Sequence, residues 1–418
     1  MFWTHIKVKH LQARAAQALG LIRDLFINNV IDVGAEKRAW GQFFNESKAE
    51  KQYGIYGTSA GVQVLSMAGY APNHAFIAGA SRLLKAALED QTDSNLFYRK
   101  KDIALVYKLA YIAEAVAVEQ EIINVDCPPM DELMKRVLPA QGWGEFYYSE
   151  DNKDIEPKVI STVVALLALR RYRKFRASEI CEKSLAWLCR RLHEIHKMAT
   201  YELALASLAL IEYSDQRGRV NGYDRAVDFC KQGLFEWAAS RKEIYLGKVE
   251  FHHYASNLEG GPGGGKYMHF LPHCLVALAL LKWDSPKRTR RYVLRVVNFF
   301  VQQILENKGF SPDSRRQVST KDHLWIYRLL KGFESQPTEK LLPQPIYAWS
   351  TAPHLVRVII SVSLFVVGVL AIYISSLTKD PAYHIPTLIV AIISVIGSAL
   401  VALFGRTIWE FFMKGDKS

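Results

Sequence analysis

The sequence predicts an all-α protein: six helical hairpins arranged as an inner and an outer ring, followed by a two-helix transmembrane hairpin. Three observations carry this expectation. Apolar residues recur at spacings of three and four from Met1 to about Phe333, the period of a helix rather than of a strand. Helical stretches with a charged face alternate with stretches that are apolar nearly all round. Near the C-terminus, Val358 to Leu377 and Ile385 to Gly405 are two runs without a charged residue, and at about 1.5 Å per residue each reaches roughly the 30 Å of a bilayer's hydrocarbon core.

Taken in order, the helices are expected at about 7–29 with 58–70, 75–90 with 103–121, 130–138 with 158–172, 178–196 with 200–213, 223–238 with 268–283 and 287–306 with 320–333. The second member of each pair is the more apolar. VVALLALRRY, YELALASLALIEY and HCLVALALLKW are nearly continuous hydrophobic sequence, whereas SEICEKSLAWLCRRLHEIHK carries a charged face. A helix that is apolar all round must be buried on most sides, and an amphipathic one covers it. The joins repeat as well. Trp40-Gly41 precedes Tyr56-Gly57-Thr58-Ser59, Gly142-Trp143-Gly144 precedes Ile160-Ser161-Thr162, and Gly309-Phe310 precedes Ser319-Thr320. The hydroxyls are expected as N-caps of the inner helices. A unit recurring at roughly 50 residues implies a repeat architecture.

RVVNFFVQQILENKGF (Arg295 to Phe310) and LPAQGWGEFYY (Leu138 to Tyr148) resemble the aromatic, Gln, Gly, aromatic repeat of the α/α toroids, the terpenoid-cyclase, squalene-cyclase and protein-prenyltransferase type. The resemblance covers about 300 residues and implies an (α/α)6 toroid. The chemistry of that family is not implied. No Asp-x-Asp-Asp run exists, and the Asp-x-Cys pair of the zinc prenyltransferases is matched only by the adjacent Asp126-Cys127. If an enzyme, the chain would be cyclase-like without the family's Asp-rich or zinc motifs.

The expected organisation is a toroid domain at 1–335, a Pro-rich linker at 336–354, the transmembrane hairpin at 355–405 and a basic tail at 406–418. The loop between the two spans holds only Lys379, while Arg357, Arg406, Lys414 and Lys417 lie on the other side. By the bias of basic residues, both termini of this two-pass protein are expected in the cytoplasm. Ser394, Ser398 and Ala402 offer small-residue spacing, for packing inside the hairpin or for homo-oligomers. The five cysteines are scattered, and a reducing compartment is the simpler expectation.

Lys plus Arg exceed Asp plus Glu by 53 − 41 = 12, which favours anionic partners. Basic clusters interleaved with aromatics occur at 170–176 and 287–292. Beside a membrane anchor they favour the anionic inner leaflet over nucleic acid, and helix ends explain them equally well. The stretch Leu258 to Cys274 has the outline of a phosphate loop, but Tyr267 stands where Ser or Thr would hold magnesium and no buried strand precedes it. Nucleotide binding is not expected. Lys266 with the following helix amides is left as an anion site.

If the inner helices start round one mouth, Thr58, Ser59, Ser161, Thr162, His269, His273, Thr320, Asp322 and His323 gather there, with His252, His253 and Lys266 from the glycine-rich loop. Hydroxyls, imidazoles and positive helix ends suit an anionic head group, and an apolar inner wall suits a lipid tail. His252, His253, His269 and His273 with Cys274 would form either a zinc sphere or polar lining. No other cofactor is expected. Asp322 with His323, or Glu145 with Glu150, are the acid and base candidates. The expected function is therefore binding, with or without transformation, of a small amphiphilic anionic or isoprenoid-like ligand at the inner membrane face. The rival expectation is a membrane effector or receptor whose toroid senses and whose hairpin oligomerises.

Overall fold

A computed structural model describes residues 2–41, 43–44, 53–89, 106–119, 127–145, 155–194, 198–241, 252–253, 267–268, 272–283, 287–310 and 318–342, together with 366, 369, 370 and 373. The chain divides into a unit at Met1–Pro343 and a second at Gln344–Ser418. The first is mostly helical. Its principal helices are α1 (Phe2–Asn28), α2 (Ile55–Met67), α3 (Ala75–Glu89), α4 (Val106–Glu119), α5 (Pro128–Lys135), α6 (Val159–Leu169), α7 (Glu179–Glu194), α8 (Thr200–Glu212), α9 (Tyr223–Ser240), α10 (Pro272–Lys282), α11 (Lys287–Asn307) and α12 (Thr320–Glu334). Two short hairpins pair Ile31–Gly34 with Lys37–Ala39 and His252–His253 with Tyr267–Met268.

The even-numbered helices are those read as apolar all round, and burial follows. In α6 every residue from Ile160 to Leu169 is buried, and in α10 every residue from Cys274 to Leu280. The β-branched Val and Ile of α6 would favour a strand by propensity; burial on all sides decides for the helix. The odd-numbered helices bury one stripe. On α7 it comprises Cys181, Ser184, Leu185, Leu188, Cys189 and Leu192, at spacings of three and four. Each even-numbered helix packs on the next one, α2 on α4, α4 on α6, α6 on α8, α8 on α10 and α10 on α12, and α12 returns to α2. Each odd-numbered helix packs on its two even-numbered neighbours, except α7, which packs on α6 and on α9.

The aromatic joins are built alike. The Trp40 indole N–H donates to the Phe26 carbonyl at 2.7 Å, and that of Trp143 to the Leu133 carbonyl at 2.7 Å. Each tryptophan thereby satisfies a carbonyl in the last turns of the preceding odd-numbered helix. The backbone N–H of the same two residues donates to Thr58 Oγ1 at 3.2 Å and to Thr162 Oγ1 at 2.9 Å. The expected capping role is corrected here for two of three copies. Gly54 and Lys158 are the N-caps of α2 and α6, without a side-chain cap bond, and the threonines sit one turn inside, bonded to the join. Only Ser319 caps as expected, accepting from the Asp322 N–H at 3.3 Å. Close approach also fixes Gly57 and Gly61. A Cβ on Gly57 would lie 2.0 Å from the Gly41 carbonyl oxygen, and one on Gly61 2.4 Å from the Trp40 ring.

Two expectations at the C-terminal end change. The body continues past residue 335: Gln12 Nε2 donates to the Gln336 carbonyl at 2.8 Å, and Leu341 is buried in the short helix Thr338–Leu341. Among the described residues no helix is long and apolar enough to cross a membrane, which overturns the two-pass localisation with cytoplasmic termini. The longest described helices, α1 and α11, are interrupted by charges such as Lys7, Arg14 and Arg23 in the one and Arg290, Arg295 and Glu306 in the other. The runs 358–377 and 385–405, and with them the expected hairpin oligomer, lie outside the described residues except for Val366, Val369, Leu370 and Tyr373. Those four are helical and exposed.

Candidate functional site

Of the hydroxyl and imidazole residues expected round one mouth, Thr58, Thr162, Thr320, His273 and His323 are bonded into the fold, while Ser59 Oγ and Ser161 Oγ are buried without a hydrogen-bond partner. Thr58, Ser59, Ser161, Thr162, Thr320, Asp322 and His323 all lie at starts of even-numbered helices and all are buried. Thr320 Oγ1 donates to the Gly41 carbonyl at 3.0 Å, which ties α12 to the join before α2. His323 Nε2 accepts from the Phe310 N–H at 2.9 Å and Nδ1 donates to the Ser319 carbonyl at 2.6 Å. Thr58, Thr162 and His323 are each the fourth residue of their helix, so the histidine does in the third copy what threonine does in the other two. Burial pushes His323 down to about 4, with the Ser319 carbonyl acting against it, and the ring stays neutral.

His273 also serves the scaffold: its Nδ1 lies 2.9 Å from the Tyr292 hydroxyl, and burial with Arg241 and Arg295 lowers it to about 4. His252 and His253 pair with Met268 and Tyr267 through the backbone. Lys266, His269 and Glu150 lie outside the described residues. Among the described residues no group of three or more His, Cys, Asp or Glu side chains converges as metal ligands would.

The chemistry gathers further along the even-numbered helices, from their middles to their C-terminal ends. Gln63, Glu114 and Arg328 are each the ninth residue of α2, α4 and α12, and the closure of α12 on α2 and α4 brings them together. Arg328 Nη2 donates to Glu114 Oε1 at 2.7 Å and to Gln63 Oε1. Arg170, just past the end of α6, donates to the same Glu114 oxygen at 3.1 Å, and an Arg171 nitrogen lies 3.8 Å away. Arg170 also faces Glu212 at 3.5 Å, and Lys282 pairs with Glu212. Each of the six even-numbered helices thus adds a polar side chain, from within or just past its end, to one network that is buried at Gln63 and Glu114 and reaches solvent at Lys282.

The network borders a cavity of about 530 Å³, with Arg170, Arg171, Lys282, Arg328 and Lys331 on its wall beside Met67, Leu208, Leu278 and Trp325. The Arg328 guanidinium lies over the Trp325 ring, 4.6 Å from its centroid, a stacking that holds the charge in place without neutralising it.

Burial alone would raise the Glu114 carboxyl, but the guanidiniums of Arg328, Arg170 and Arg171 outweigh it and hold the group at about 2. Glu212 is likewise held below the ordinary range, burial opposing and Arg170, Lys282 and Arg171 prevailing. Among the described residues, Arg170, Arg171 and Arg328 face Glu114, Arg170 and Lys282 face Glu212, and Lys331 pairs with Glu334 at 3.2 Å. Cations at helix C-terminal ends are favoured by the dipole, which accounts for Arg170 and Lys282. It does not account for Arg328, placed mid-helix.

No protein-family model matches the chain, and no curated protein matches it.

The network escaped the sequence reading, which placed Arg170 and Arg171 in a surface basic cluster. A signal was present: Gln63, Glu114 and Arg328 each interrupt otherwise apolar sequence, in GVQVL, YIAEAVAV and WIYRLL.

Proposed function

We propose that the helical body is an (α/α)6 toroid of the kind its aromatic joins resemble, and that it binds a small amphiphilic anion. The anionic head, a phosphate or carboxylate, sits against Arg170, Arg171, Arg328 and Lys282. The apolar remainder lies against Met67, Leu208, Leu278 and Trp325. The toroid reading is supported by the sequential contacts of the even-numbered helices and the return of α12 to α2. The ligand reading is carried by one observation, the convergence of Arg170, Arg171, Lys282, Arg328 and Lys331 on the wall of the 530 Å³ cavity. Guanidiniums held in place by a shared carboxylate offer an anion charge-assisted hydrogen bonds. The cavity's size and its mixture of apolar wall with a few convergent polar groups are those of small-molecule sites.

Native mass spectrometry of the full-length protein tests this reading. The expected result is a bound anionic small molecule, or uptake of an added long-chain alkyl phosphate, that is weakened on the order of 10-fold or more in Arg328→Gln, the loss of a charge-assisted contact. Binding that is equal in wild type and variant, or absent with every anionic amphiphile, contradicts it.

A further inference from the structure

Lys282, whose ammonium pairs with Glu212 beside the 530 Å³ cavity, is also a wall of a second pocket. That pocket, of about 110 Å³, lies between the end of α10, the first turns of α11 and the short helix Thr338–Leu341. Leu280, Leu281, Trp283, Val293, Leu294 and Leu341 form most of its lining. Arg290 Nη1 donates to the Leu342 carbonyl at 3.1 Å, which fixes the end of the short helix against α11. Leu294 is shared in turn with a third space, a groove of about 1110 Å³ between α9 and α11. Lys231, on the groove's wall, places its Nζ 5.5 Å from the centroid of the Trp283 ring in the pocket. Cavity, pocket and groove thus follow one another, with Lys282 at the first junction and Leu294 at the second.

From this succession, and resting on the anion site proposed above, we infer that the ligand carries a single long alkyl chain, which leaves the head-group cavity past the stem of Lys282, fills the pocket and ends in the groove. Lys282 serves both chemistries. Its ammonium stands beside Glu212 and the head group, and its methylene stem is an apolar wall for a passing chain. The leucines and Val293 of the pocket offer water no hydrogen-bonding partner from their side chains, so hydrocarbon is the favoured occupant.

Size decides the class of tail. At about 110 Å³ the pocket is smaller than the roughly 150 Å³ apolar cavity that holds one benzene ring, so an extended chain passes and a fused ring system does not. The groove beyond Leu294 is the larger space, so a chain longer than cavity and pocket together is accommodated. Leu280, Val293 and Leu341 are buried in the packing, whereas Leu281 and Leu294 are only partly buried and are the places where the path can be filled without opening the core.

Titration of the full-length protein with octyl, dodecyl, hexadecyl and cholesteryl phosphate, each below its micellar concentration, tests the assignment. Each buried methylene is worth about 4-fold in affinity, so binding is expected to tighten on the order of 100-fold from octyl to dodecyl phosphate and to tighten again to hexadecyl. Cholesteryl phosphate is expected to bind on the order of 10-fold or more weaker than hexadecyl phosphate, being denied the same burial. In Leu281→Trp and in Leu294→Trp the ratio of hexadecyl to octyl affinity is expected to fall on the order of 10-fold, the loss of a few buried methylenes. A plateau at octyl phosphate, cholesteryl phosphate bound as tightly as hexadecyl, or a ratio untouched in both variants overturns the tail assignment. Where binding still requires Arg328, such a result leaves the anion site standing; no binding of any of the four, or binding indifferent to Arg328→Gln, overturns the anion site and the tail with it.

Discussion

Replacing Glu114 by Gln removes the carboxylate that Arg328 and Arg170 share and leaves a side chain of the same shape. In the folded protein Glu114 is held at about 2, against about 4.3 for an exposed glutamate. At 1.36 kcal/mol per tenfold change in proton affinity, the charged form contributes about 3 kcal/mol, in line with the roughly 3–5 kcal/mol lost when one partner of a buried ion pair is removed. The sign follows from the lowered value. The contribution is complete above the unfolded group's ordinary range and is lost as pH falls from about 4.5 toward 2. Denaturant unfolding at pH 7 should therefore find Glu114→Gln about 3 kcal/mol less stable than wild type, with the gap closing as both proteins are taken below pH 4.5. The same substitution removes one negative charge from beside the cavity's arginines. Added alkyl phosphate should stabilise the variant more than wild type, by preferential binding to the folded state. A variant as stable as wild type at pH 7, or one no more responsive to the anion, would refute the claim that Glu114 partly neutralises an anion site.

Other outcomes follow from the joins and the buried histidines. Thr162→Val deprives the Trp143 N–H of its acceptor and should cost about 1–3 kcal/mol in denaturant unfolding, the penalty of an unmade buried hydrogen bond. Thr58→Val at the equivalent join should cost the same. Gly57→Ala forces a Cβ to 2.0 Å from the Gly41 carbonyl oxygen and should cost more than about 2 kcal/mol, while Gly20→Ala, with open space round it inside α1, should stabilise by up to about 1 kcal/mol; both are read from melting curves. His323 is buried neutral at about 4 instead of its ordinary 6.5, so its share of stability is present above pH 6.5 and lost on the way down to pH 4, about 2 kcal/mol of it by pH 5. Unfolding at pH 7 and pH 5 measures that share, and His323→Asn should flatten the difference.

Much of this helical organisation is legible locally. Alternation of all-round apolar and one-faced helices locates each pair, because the demand for burial acts along every helix separately. The ends drift where a local signal misleads: α1 starts at Phe2 rather than near residue 7, and α10 starts at Pro272 rather than near 268 because Tyr267 and Met268 pair with a strand. The hydroxyls of the joins were found by their repetition, yet their role was misjudged. A threonine in the first turn reads as a cap until it is known that a tryptophan backbone approaches it from 18 or 19 residues away. The arginine network could not be assembled from local pattern, because Arg328 meets Gln63 across 265 residues and Glu114 across 214. Only the return of α12 to α2 creates those contacts. Tyr56, Tyr107 and Lys321, the second residues of α2, α4 and α12, likewise become neighbours through helix packing alone.

The most direct measurement is isothermal titration of the full-length protein with a long-chain alkyl phosphate and, in parallel, with the uncharged alcohol of the same chain. Saturable binding of the phosphate at one site, lost with the alcohol and weakened on the order of 10-fold or more by Arg328→Gln, is the predicted result. Equal affinity for the phosphate and the alcohol, or phosphate binding indifferent to Arg328, would contradict the assignment of the cavity to an anionic head group.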